Sequence, residues 1–188
     1  YVRADSPPGC GTGTSASVAV AMLGALARFS GRHMLPYQIA ELAHALETEE
    51  LGMESGVQDQ YAAAFGGISF MEIDYPRVRI SQLRIEERTL CELEERMFVV
   101  YLGSRSSSDM HKLVVERYRK GDKQIHNAFD ELTASAYGMV DALTTGDIEA
   151  AARLMNRNWA AQRRLHPDMS TPAIEAVQQL AEEHGAAG

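Results

Sequence analysis

Hydrophobic positions recur at helical spacing through most of this chain and gather into short runs only near its middle. An apolar stretch from Val18 to Leu23 opens one predicted helix over 15–29. Ile39, Leu42, Ala43 and Leu46 share a helical face and predict a second over 36–49, with Gly31 and Pro36 marking the break between the two. A third, shorter helix is predicted over 57–65, ending at the Gly66-Gly67 turn, followed by strands near 68–73 and 78–83. Residues 92–96 read as a charged connector, and Met97-Phe98-Val99-Val100-Tyr101-Leu102, closed by Gly103, as a short buried strand. Beyond it the pattern is almost wholly helical, with segments near 107–119, 122–144, 147–165 and 172–184. Asp147 after Gly146 and Ser170-Thr171 before Pro172 are good helix-start signals. Residues 1–5 read as the end of a strand, and the change in pattern near 84–96 predicts a boundary between two parts.

The candidate chemistry begins at Pro7-Pro8-Gly9-Cys10-Gly11-Thr12-Gly13-Thr14-Ser15-Ala16-Ser17, just before the first helix. Alternating glycines let a backbone approach a phosphate, and the N–H groups and dipole of a helix start favour an anion. Thr14 and Ser15 can cap the helix or offer a hydroxyl to a metal ion. A Lys-bearing P-loop is excluded, because no Lys follows the last glycine. Gly11-x-Gly13-x-x-Ala16 fits the loosest dinucleotide pattern. However, Asp5-Ser6-Pro7-Pro8 interrupts the strand that pattern needs, and no acid stands between Gly31 and Gln38. By itself the loop reads equally well as a Gly-rich turn capping a buried helix.

A second patch, Leu51 to Gly67, reads as loop, short helix and Gly-Gly turn. Asp59 falls in the first turn of that helix, where the dipole favours a negative charge. There a carboxylate can orient or deprotonate a hydroxyl, or it can simply complement the helix end. Glu47, near the end of the preceding helix, gains nothing from the dipole. It reads either as a solvated charge, like Glu49 and Glu50 beside it, or as a magnesium ligand paired with Ser15.

Taken together, the two patches resemble the GHMP kinases, small-molecule kinases named for galactokinase, homoserine kinase, mevalonate kinase and phosphomevalonate kinase. Residues 7–17 resemble the family's phosphate loop, with Thr12 in place of Leu and Thr14 in place of the first Ser. The resemblance implies that Pro8, Gly9, Cys10, Gly11, Thr12, Gly13, Thr14 and Ser15 bind ATP phosphates. It further implies that Ser15 and Glu47 hold Mg2+ and that Asp59 is catalytic, with one extra residue, Gln58, before that acid. Residues 56–67 are similar to the branch acting on D-glycero-D-manno-heptose 7-phosphate, and fucokinase-type enzymes share much of this stretch. The implied reaction is ATP-dependent phosphorylation of a sugar hydroxyl, the anomeric one in the heptose branch, with Gly56, Gln58, Asp59 and Arg105 meeting the substrate. The alternatives are a fucokinase or galactokinase, or a non-catalytic binder of sugar or nucleotide on the same scaffold.

The implied fold is the α+β, two-domain GHMP-kinase fold, truncated at both ends. A nucleotide-binding domain would span 1–84 and a ferredoxin-like α+β domain 97–188. The family's opening strand and closing Gly-rich segment fall outside the sequence, so the resemblance implies an internal piece of a longer kinase.

Composition narrows the partners. A net charge of −8 over 188 residues leaves no basic footprint for nucleic acid. An acidic kinase would then attract anionic substrates locally, and Arg105, in a Ser-rich loop, suits bidentate phosphate contact. No apolar run approaches the ~20 residues needed to span a bilayer. The expected setting is a cytoplasmic enzyme without membrane partners, and a homodimer stays open. Six scattered His residues and two Cys show no metal-ligand spacing. Cys10 reads as a small filler, and the Met residues and Trp159 as helix packing.

Overall fold

The structure, a computed structural model, describes residues 3–5, 9–52, 55–103 and 108–187. It divides into two compact units, Tyr1–Leu83 with Gly103–Arg105, and Arg84–Leu102 with Ser106–Gly188.

In the first unit, helices α1 (Thr14–Phe29), α2 (Pro36–Ala45) and α3 (Gln58–Phe65) pack on one another. Pro36 supplies the fixed φ favoured at a helix start, and the Leu35 N–H donates to Gln38 Oε1 at 2.8 Å. The hairpin β1 (Ser69–Asp74) and β2 (Arg77–Gln82) is antiparallel, in register from Ser69 opposite Gln82 to Asp74 opposite Arg77. Met71, Val78 and Ile80 of the hairpin pack on a core of Ala40, Val57 and Tyr61. Tyr37 closes that core edge-on, with ring centroids 5.8 Å from Tyr61 and 4.8 Å from Phe65.

Two expectations fail in this unit. Residues 3–5 are not a strand. The second helix does not run as α-helix to 49 but passes into one π-helical turn, Leu46–Glu50. There the Leu51 N–H reaches back five residues to the Leu46 carbonyl at 3.0 Å, widening the turn that carries Glu47.

The regular elements among the described residues of the second unit are all helical: α4 (Glu87–Arg96), α5 (Ser108–Arg119), α6 (Lys123–Thr145), α7 (Ile148–Arg163), a 3-10 turn at Pro167–Met169 and α8 (Pro172–Glu183). Val114, Ile125, Ala128 and Leu165 form its core, with Phe129, Leu132 and Met169 packed against them. Asp122 caps α6 by accepting from the Gln124 N–H at 2.9 Å, and Asp147 caps α7 through Ala150 at 2.8 Å. Thr171, not Ser170, caps α8. Trp159 is indeed a packing residue, donating from Nε1 to Gln178 Oε1 at 2.7 Å and so tying α7 to α8.

The supposed connector 92–96 is the C-terminal half of α4. Its charged residues are good helix formers, and Arg96 pairs with Glu92 one turn back and with Glu149 on α7, both at 2.9 Å. Residues 97–102 are not a buried strand: each is at least 45% exposed. Composition made them strand-like, but a strand needs a neighbour to bond with. Among the described residues, β1 and β2 pair only with each other. No helix of the described residues is long and apolar enough to cross a membrane.

Candidate functional site

The Gly-rich loop runs directly into α1. Gly9, Gly11 and Gly13 all take left-handed φ values, of 71°, 76° and 67°. Gly13 is the N-cap of α1 and no side chain caps that helix, so neither Thr14 nor Ser15 plays the capping role open to it. The first-turn N–H groups of α1 are therefore left for a ligand, an arrangement suited to an anion. Thr14 turns its hydroxyl toward Cys10 Sγ, at 3.6 Å, while Thr12 Oγ1 lies 2.8 Å from the same sulfur. Cys10 is thus more than a filler: bonding to the Thr12 hydroxyl, and then to that of Thr14, holds its thiol below the usual range.

Asp59 stands in the first turn of α3, on the exposed side. Packing of α1 against α3 brings it to the loop. A Cβ added at Gly13 would sit 3.2 Å from Asp59 Cγ and 3.3 Å from its Oδ2. Gly13 is needed twice over, for its left-handed φ and for this approach. Two segments 46 residues apart in sequence thus meet, with a carboxylate beside the anion-ready helix start.

Glu47 is held from two directions. Its Oε2 accepts from Ser55 Oγ at 3.0 Å and from Gln60 Nε2. Its other oxygen has no hydrogen bond among the described residues. Gln60 is 1% exposed and lies on the face of α3 that buries Val57 and Tyr61. Burial also raises the Tyr61 hydroxyl above its ordinary value. The sequence reading overlooked Gln60. Its signal was a polar residue at the i+3 position of an otherwise apolar helical stripe starting at Val57. Gly56 and Gln58 are neighbours in space as well as sequence, since any Cβ at Gly56 would overlap the Gln58 amide. Pro8 and Arg105 lie outside the described residues.

A cavity of about 550 Å3 opens beside the loop. Thr12 and Thr14 line its polar edge, Val18, Ala21 and Met22 of α1 its apolar wall, and Arg3 its far side. The Arg3 guanidinium also bonds Asp5 at 3.2 Å. It is an open cleft with polar and apolar lining in similar measure.

The two residues read from the sequence as metal ligands both offer oxygens: the Ser15 hydroxyl at the start of α1, which makes no side-chain hydrogen bond among the described residues, and the Glu47 carboxylate on the π turn. No cluster of three or more His, Cys, Asp or Glu able to hold a metal occurs among the described residues. Hydroxyl and carboxylate oxygens are ligands that magnesium accepts, its shell being completed by phosphate and water.

The glycine loop opening α1, with a carboxylate set against it, lies within the segment that comparison with known proteins matches. Residues 1–67 match the GHMP kinases N terminal domain, and this segment is of that family. Among curated relatives it is similar to a D-glycero-alpha-D-manno-heptose 7-phosphate kinase of Campylobacter jejuni, with 32% identity over 99% of this chain and 55% of that protein. It is also similar to a bifunctional fucokinase/GDP-fucose pyrophosphorylase of Arabidopsis thaliana, with 28% identity over 93% of this chain and 17% of that protein. Among solved structures it resembles a D-glycero-D-manno-heptose 1-phosphate kinase from Bacteriodes thetaiotaomicron, with a TM-score of 0.68 and 28% identity over 85% of this chain and 46% of that one. The chain thus spans about half the length of the heptose kinases it matches.

Proposed function

We propose that this chain forms the phosphate-binding and proton-accepting part of an ATP-dependent sugar kinase, acting on the anomeric hydroxyl of a heptose 7-phosphate. The observation that carries the reading is the approach of Gly13 to Asp59, which sets a carboxylate against a helix start open to phosphate. The loop from Gly9 to Ser15 binds the nucleotide phosphates through backbone N–H groups, and the cavity beside Thr12 and Thr14 takes the nucleoside. Ser15 and Glu47 hold magnesium, which when bound neutralises charge on the phosphates. Asp59 accepts the proton of the sugar hydroxyl as its oxygen bonds to the terminal phosphorus of ATP and the bond to ADP breaks. Gly56, Gln58 and Arg105 are the candidates for orienting the sugar. The first unit is then the nucleotide-binding domain, and the second belongs to the family's C-terminal domain.

The similarity to a heptose 7-phosphate kinase supports the heptose as substrate. The fucokinase similarity favours fucose as the second choice. Phosphorus NMR of the complete natural protein with Mg–ATP and a panel of heptose 7-phosphate, fucose, galactose and mannose tests both. A new anomeric phosphate with the heptose is the expected result. Transfer to fucose alone would replace the substrate, and retained ATP binding without transfer to any sugar would overturn the kinase reading in favour of a binding protein.

A further inference from the structure

Gln60 is a buried amide that its own helix face does not call for. Val57, Tyr61 and Ala64 share that face and pack in the core, whereas Gln60, 1% exposed, spends its Nε2 on Glu47 Oε2. An ionised carboxylate is acceptor-only, so the amide must turn its NH2 group toward Glu47. Its carbonyl oxygen is then left buried with no partner among the described residues. An unsatisfied buried acceptor is destabilising where an apolar side chain of similar shape would not be. Ser55 Oγ donates to the same oxygen of Glu47, so two donors converge on one carboxylate oxygen. The widened π turn that carries Glu47 is of a kind that recurs at functional sites.

We propose that Gln60, with Ser55, is a positioning residue that fixes the carboxylate of Glu47 for metal binding. The proposal rests on the reading of Glu47 as a magnesium ligand. Both donors hold Oε2, leaving Oε1 without a hydrogen bond among the described residues. The first turn of α3 thereby serves two ends: Asp59 faces Gly13 of the loop, and the next residue, Gln60, holds Glu47. One rigid turn sets the spacing between the proton acceptor and the metal ligand.

The test uses the complete natural protein and reads metal binding directly. Mn2+ is titrated in the presence of ATP and followed by electron paramagnetic resonance, and metal-free ATP binding is measured separately by calorimetry. Gln60→Leu and Gln60→Glu are expected to weaken Mn2+ binding by roughly 10- to 100-fold, the usual scale for losing a partner behind a metal ligand. Metal-free ATP affinity is expected to stay unchanged. Ser55→Ala should shift Mn2+ binding in the same direction by less, and it carries the comparison if the Gln60 variants do not fold. Glu47→Gln should weaken Mn2+ binding at least as much, and adding Gln60→Leu to it should change nothing more. If Glu47→Gln binds Mn2+ normally, Glu47 is not a ligand and the parent reading falls. If Glu47→Gln loses the metal while the Gln60 and Ser55 variants keep it, the positioning role alone is overturned.

Discussion

Most helix starts in the second unit are capped by a side chain, though α4 is not, and two of the three in the first unit are left open. In the second, α6, α7 and α8 each start on a side chain that satisfies first-turn N–H groups: Asp122, Asp147 and Thr171. In the first, α1 and α3 have no side-chain cap, while at the start of α2 Gln38 Oε1 accepts from the Leu35 N–H. The second unit also draws Arg117 onto Asp122 at 2.8 Å and Arg164 onto Glu131 at 2.6 Å, holding both carboxyls below their ordinary range. The first unit instead leaves helix N–H groups open beside an exposed carboxylate and buries an amide with one end unpaired. The difference is local: buried polar atoms without a partner occur in both units, Arg164 Nε and Ser170 Oγ among them, but only the first unit sets an uncapped helix start against a carboxylate.

The sharpest way to break this comparison is at Asp59. Asp59→Asn is expected to lower kcat by about 10²- to 10⁴-fold, the range for removing a general base, with ATP affinity kept. Activity near wild type would take Asp59 out of the chemistry. Next comes Gly13→Ala, which forces a side chain into left-handed backbone and against Asp59 Cγ. The resulting shift of the carboxylate should cost up to about 100-fold in kcat. Wild-type kinetics in that variant would mean that the close approach is incidental.

Changes in the second unit should behave differently. Asp147→Ala should lower stability by ~1 kcal/mol through the lost cap, read as a lower Tm, with kcat unaltered. A kinetic defect there would erase the division of labour. The smallest effect is in pH. The Arg117 hydrogen bonds depress the folded-state titration of Asp122 below its ordinary 3.8. Its stabilising contribution is therefore complete above that value and is lost as pH falls through the depressed one. Arg117→Lys keeps the charge but not the paired hydrogen bonds, so it should shrink the acid-side loss in a thermal-melt series below about pH 4.

Much of the architecture was legible along the chain. The hairpin strands fall within a residue of where alternation placed them, and the helix starts at Pro36, Asp147 and Thr171 follow from local rules. The local signals failed where a segment's state depends on a distant partner. Residues 97–102 have the composition of a buried strand but are exposed, and the charged run 92–96 is helical because it can pair along its own turn and with Glu149.

The candidate site divides in the same manner. Sequence alone determined that a Gly-rich loop opens α1 and that an acid stands in the first turn of α3, because spacing along a helix fixes which residues share a turn. Only the tertiary structure decided that Asp59 rests on Gly13, that Glu47 sits on a π turn, and that Gln60 reaches it from α3. Those contacts join segments far apart in the chain. They are set by how α1, α2 and α3 pack, which no local pattern encodes.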